Sequence, residues 1–162
     1  MPNYTATIKW QGTQGDFLEN KYSRAHTWTF DGGLTIPASS SPDVVPEPLS
    51  VAANVDPEEA FVASLSSCHM LWFLALAAEQ GIAIAIYTDN AVGIMEKNPK
   101  GKVAITRVEL NPVVVLEDNK RLAHTALENL HHAAHERCFI ANSVTSEVIV
   151  NLGQEAQSRN HD

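Results

Sequence analysis

Two residues carry most of the chemistry this sequence could perform. Cys68 and Cys138 are its only thiols. The thiolate is the nucleophile, and apolar surroundings raise a thiol's pKa. An active Cys68 therefore needs a cation or several hydrogen-bond donors beside it. Residues 25–96 contain no Lys or Arg, so the cation must come from outside that stretch, and Arg24 stands at its border. Guanidinium is always charged and fork-shaped, suited to holding two partners at once. Arg24 is one candidate among several, with an ordinary exposed strand residue as the alternative. A disulfide between the thiols requires Cα atoms within about 7 Å.

Histidines offer a competing chemistry. His131, His135 and Cys138 fall at i, i+4 and i+7, and Cys68-His69 completes a set of possible metal ligands. Chance accounts for such spacing in a His-rich helix, so no metal is expected, and His124 and His132 are read as solvated. The formal net charge of −8 lacks the basic footprint that nucleic acid or an anionic membrane requires. Residues 1–12 show no charged segment leading into an apolar one, so no signal peptide is expected. The expected location is the cytoplasm. In a reducing compartment a disulfide is more often transient and catalytic than structural. Inert, buried thiols are the ordinary alternative.

These residues must be positioned by regular elements. Alternation of Tyr4, Ala6, Ile8 and Trp10 with polar residues predicts a strand with one buried face. A second strand is expected over 26–30 and a third over 34–36, joined at Asp31-Gly32-Gly33. Residues 37–55, with Pro37, Pro42, Pro46 and Pro48, read as a long irregular loop. Asp56, Pro57 and Glu59 form a helix start, and Gly81 a stop. The enclosed helix carries no Lys, Arg, Asp or Glu over 60–78 and approaches the length of a membrane span. Ser64, Ser66, Ser67, Cys68 and His69 in its middle, and acidic flanks without basic anchors, predict a buried helix instead.

Residues 82–95 and 103–116 are read as two strands around a turn at 98–101. A second helix is expected from Asp118 or Asn119 to Arg137, with Ala123, Leu127, Leu130 and Ala134 on its core face. Cys138 continues that face. A last strand is expected at residues 144–152, and a polar tail from Gly153. The order β-β-β-α-β-β-α-β favours a single α+β domain over 1–162, with a core at about 4–152. So apolar a central helix predicts a homodimer that covers it jointly.

At this point a resemblance becomes specific. Residues 56–68, Asp-Pro-Glu-Glu-Ala-Phe-Val-Ala-Ser-Leu-Ser-Ser-Cys, resemble the central-helix signature of the OsmC/Ohr hydroperoxide reductases. Residues 135–143, His-Glu-Arg-Cys-Phe-Ile-Ala-Asn-Ser, resemble the family's second cysteine motif. The resemblance covers residues 4–152. It implies an intertwined α+β homodimer that reduces organic hydroperoxides to alcohols. Cys68 would be the peroxidatic cysteine and Cys138 the resolving one. Glu58 would match the family's glutamate, and Arg24 its arginine by position before Asp31-Gly32-Gly33-Leu34. The reductant implied is an external dithiol, such as a lipoylated protein, with no bound cofactor. Ten residues of helix rise about 15 Å, so Glu58 cannot bond Cys68 on its own helix. Arg24 would bridge the two, or a second subunit would supply one member. A non-catalytic module that binds a lipophilic ligand or senses redox state is the alternative function.

Overall fold

The computed structural model describes residues 1–12, 14–117, 121–153 and 157–158. The chain divides into two compact units, residues 1–60 and 61–162.

The first unit is an antiparallel sheet in the order β1 (Ala6–Lys9), β2 (His26–Phe30), β3 (Thr35–Ala38). Trp28 faces Ile8 on one side and Ile36 on the other. Gly33, at φ +85°, makes the β2–β3 turn in a conformation that glycine adopts without penalty. A five-residue helix not anticipated from the sequence, α1 (Gln14–Leu18), brings Phe17 within 5.7 Å of the Trp10 ring. The buried face expected of β1 is absent, since all four of its residues are exposed. β1 is an edge strand, and among the described residues of its unit no second sheet covers its apolar side chains.

The long helix α2 (Pro57–Glu79) opens with a reciprocal capping box. The Glu59 N–H donates to Asp56 Oδ1 at 2.7 Å, and the Asp56 N–H donates to Glu59 Oε2 at 3.2 Å. At its end Gly81 takes φ +70°, while the Ile82 N–H reaches the Ala77 carbonyl and the Gly81 N–H that of Ala78. That is a Schellman stop. By length and composition α2 could cross a membrane. Its buried residues Leu65, Phe73, Leu76 and Ala77 instead join the cores of the second unit.

In that unit each of the two long strands expected around the 98–101 turn is broken once. The first becomes β4 (Ile84–Asp89) and β5 (Val92–Lys97), the second β6 (Val103–Leu110) and β7 (Pro112–Leu116). Side chains impose the breaks. The Asn111 N–H donates to Asp89 Oδ1 at 2.6 Å, and Asn111 Nδ2 donates to the Asn90 carbonyl at 2.9 Å. Asn and Asp side chains compete with ladder hydrogen bonds in this way, and Pro112 has no N–H to offer. Two three-stranded sheets result, β4-β7-β9 and β5-β6-β8, with β8 at Glu147–Val150 and β9 at Gln157–Ser158. β6 and β8 run parallel, joined through α3 (His124–Arg137). This helix begins later than expected, at His124, and Ala123 is its exposed N-cap and not part of its core face; the expected start at Asp118 or Asn119 lies outside the described residues, as does most of the polar tail.

Two apolar clusters fix α2. Phe73, Leu76 and Ala77 meet Val114 and Leu116 of β7 and Leu127, Leu130 and Ala134 of α3, while Leu65 meets Val108 and Leu110 of β6. Ala63, Ser67, Leu71 and Ala75, spaced by four, form an exposed stripe. The close approach of α2 to β5 depends on Gly93, where an added Cβ would lie 2.6 Å from Val62 Cγ2. The Gly93→Ala variant is expected to lose about 1–3 kcal/mol by overpacking. Equilibrium denaturation checks this, and wild-type stability would contradict the packing described.

Candidate functional site

α2 and α3 bring the two cysteines together. Cys68 lies mid-helix in α2 and is half-buried, while Cys138, the residue capping the end of α3, is buried. Both are free thiols, and Cys68 lies near enough to Cys138 to raise its pKa. A short 3-10 turn, Ala141–Ser143, folds back over Cys138. The Ala141 N–H donates to Cys138 Sγ at 3.4 Å, and the Asn142 N–H donates to the Cys138 carbonyl at 3.0 Å. Burial, followed by the nearby Cys68 thiol, pushes the Cys138 thiol up to about 11; the backbone N–H groups of Ala141 and Ile140 oppose this in part. Cys138 therefore keeps its proton at neutral pH. One turn past Cys68 on α2, the Trp72 ring meets Phe139, the residue after Cys138, edge-on at 5.5 Å, and the Arg137 guanidinium lies 5.8 Å over Trp72.

Beside the thiols lies a polar cluster in the apolar core. His69, one residue beyond Cys68, is 1% exposed, and His131 on α3 is 2% exposed. His69 Nε2 and His131 Nδ1 are 2.9 Å apart, with ring planes within 4°. Phe73 stacks on His131 at 4.3 Å. Burial, then His135, lowers His69 to about 4, against a smaller upward pull from Asp89. Burial, then His69, lowers His131 to about 3. Both rings are neutral at pH 7, so one nitrogen of the bond donates and the other accepts. Asp89 accepts from Ser66 Oγ on α2 and from the Asn111 N–H. Burial and the Asp89 charge push the Tyr87 hydroxyl above its ordinary value.

The other expected site residues are placed as follows. Arg24 belongs to the first unit. Its guanidinium lies 3.7 Å over the Tyr22 ring, donates to the Tyr22 carbonyl, and reaches Asn20 Oδ1 at 3.0 Å. Glu58 stands in the first turn of α2, with Oε2 buried and without a hydrogen-bond partner among the described residues. His69 and His131 bond to each other. Among the described residues, no three His, Cys, Asp or Glu side chains converge as a metal ion requires. His124 and His132 face solvent and pair with Glu128 at 3.2 Å and Glu136 at 3.4 Å. Sequence reasoning missed the His69–His131 bond, although the one-face spacing of His131, His135 and Cys138 was its visible trace.

Comparisons with known proteins bear on the whole arrangement. A family model described as OsmC-like protein matches residues 51–153. The structure of an OsmC-like protein of unknown function from Vibrio cholerae is 56% identical, with a TM-score of 0.91 over 94% of this chain and 100% of that one. An organic hydroperoxide resistance protein from Elizabethkingia anophelis shares the fold at 18% identity, with a TM-score of 0.66 over 94% of each chain. The organic hydroperoxide resistance protein OhrB of Bacillus subtilis shares it at 22% identity, with a TM-score of 0.60 over 92% of this chain and 98% of that one. A search of the curated proteins finds no match.

Because the two imidazoles are neutral when folded but titrate near 6.5 when unfolded, the unfolded chain binds more protons below that pH. Stability is fully present above about 6.5 and falls as the pH drops toward about 4, by at most about 1.4 kcal/mol per pH unit for each ring. Denaturation from pH 7 to pH 4 should show a shallower decline for a His69→Gln, His131→Asn double variant than for wild type. Equal slopes would contradict the burial of neutral rings.

Proposed function

The chain belongs to the OsmC-like protein family, and from that membership we propose that it is a cysteine-based peroxidase reducing organic hydroperoxides. The observation that carries the reading is the contact between Cys68 and Cys138, one half-buried and the other held as a thiol. The family includes structures called organic hydroperoxide resistance proteins.

In this mechanism the Cys68 thiolate attacks the distal oxygen of ROOH. The O–O bond breaks, Cys68 becomes a sulfenic acid, and the departing alkoxide takes a proton to give ROH. Cys138 then attacks the sulfenic sulfur. Its thiol proton leaves with the hydroxyl as water, and a Cys68–Cys138 disulfide forms. An external dithiol reduces this disulfide by exchange and is itself oxidised. The family resemblance assigns to Arg24 and Glu58, supplied by the same or a second subunit, the stabilisation of the Cys68 thiolate and of the charge developing on the leaving oxygen. The unpartnered carboxylate oxygen of Glu58 supports that assignment. Trp72 and Phe139 give the thiols an apolar approach suited to alkyl hydroperoxides.

The working form is a homodimer in a reducing, cytoplasmic setting. Support for a second copy comes from the uncovered stripe Ala63, Ser67, Leu71, Ala75 on an otherwise core-forming helix, and from the exposed apolar residues of β1. Leu71 offers that stripe an apolar knob, flanked by the small side chains of Ser67 and Ala75.

Consumption of cumene hydroperoxide with a dithiol reductant tests the reading. Cys68→Ser should lower turnover at least 100-fold, and Cys138→Ser should reduce about one equivalent and then stall. Near-wild-type turnover by Cys68→Ser would overturn the mechanism. Light scattering at micromolar concentration should give the dimer mass, and a monomer would overturn the assembly.

A further inference from the structure

The peroxidase reading gives no task to the most costly feature of the second unit, two histidines buried against each other in an apolar core. A buried polar pair is tolerable only when satisfied, and this one is half satisfied. His69 Nδ1 and His131 Nε2 have no hydrogen-bond partner, nor do His135 Nδ1 and the Tyr87 hydroxyl nearby, among the described residues. Apolar residues of similar size would pack here without that penalty. Something other than packing is gained from the bond.

Placement indicates what it is. The bond joins the same two helices as the thiol contact. On α2 its residue is the immediate neighbour of Cys68; on α3 it lies two turns before Cys138, about 10 Å along the axis. A single contact between crossing helices lets one roll or slide over the other. Two contacts, at separated points on α3, fix rotation and translation together. Phe73, stacked on His131, holds the ring in plane. We infer that the His69–His131 bond is a positioning device that holds α2 against α3 so that Cys68 and Cys138 can join as a disulfide. This rests on the redox role proposed for the two cysteines. Neither histidine need touch the peroxide.

The groups facing the pair are few. They are His135 on α3, and Tyr87 and Asp89 on β4. With both rings uncharged at neutral pH, the bond depends on a donor nitrogen facing an acceptor nitrogen. An amide can replace either. The amide of Asn falls near the position of a histidine Nδ1, and that of Gln near Nε2. His131→Asn should therefore preserve the contact, His131→Gln should misplace it, and His131→Leu should remove it.

The test is an equilibrium measurement without peroxide. Full-length protein is incubated in mixtures of reduced and oxidised dithiothreitol, and the Cys68–Cys138 disulfide is quantified by mass spectrometry. One dithiothreitol disulfide is reduced for each protein disulfide formed. Relative to wild type, His131→Leu should form the disulfide with an equilibrium constant at least tenfold lower, and His131→Asn should stay within threefold. A His131→Leu chain without cooperative unfolding passes the comparison to His131→Gln, with the same tenfold loss expected. Equal constants in wild type, Asn and Leu or Gln variants overturn the positioning role alone. Equal losses in all the variants overturn it too, because the loss is then structural. A wild-type chain that forms no such disulfide overturns the peroxidase reading and, with it, this one.

Discussion

The crossing of α2 over α3 is the constraint on which the site depends. Both thiols and both buried imidazoles sit on it, and neither helix could hold its position alone. α2 has no charged side chain between Glu59 and Glu79, so its stability comes from burial. Phe73, Leu76 and Ala77 pack directly against Leu127, Leu130 and Ala134. At roughly 25 cal/mol per Å² of apolar area removed from water, that cluster fixes the two helices together before any polar contact is counted. The polar contacts then select one arrangement among the many that a greasy surface would accept.

Within this crossing the two sulfurs are unequal. Cys138 is buried, capped by the turn at Ala141–Ser143, and strongly disposed to keep its proton. Cys68 is half-buried and reachable. A thiol kept protonated is a poor first nucleophile and is spared oxidation until its neighbour has reacted. Such an order suits a two-step cycle, in which one sulfur meets the oxidant and the second closes the bond.

Much of this was legible in the sequence. The helix start at Asp56-Pro57-Glu58-Glu59 and the stop at Gly81 announce themselves by cap chemistry, which is local. Placing Cys138 on the core face of α3 needed only the periodicity of Leu127, Leu130 and Ala134. Other features were beyond local reading. Residues 82–95 and 103–116 look like unbroken strands, because β-branched residues stand on both sides of the breaks at Asn90-Ala91 and Asn111. What breaks them is Asp89 reaching Asn111, a contact between positions far apart in the chain. β1 alternates like a half-buried strand, yet among the described residues of its unit no second sheet covers its apolar face. Alternation reports that a face wants burial, not which surface provides it. The His69–His131 bond was hidden for the same reason: spacing placed His131 on one face of α3 with His135 and Cys138, but could not say that its partner was His69 on α2.

The central claim is that an alkyl hydroperoxide oxidises this pair of sulfurs to a disulfide within one chain. Adding one equivalent of cumene hydroperoxide to the reduced protein, without any dithiol, and mapping the products by non-reducing peptide mass spectrometry tests it most directly. The account predicts one Cys68–Cys138 cross-linked peptide per peroxide consumed, with both free thiols lost together. Consumption without that peptide, or a protein left with both thiols intact, would contradict it.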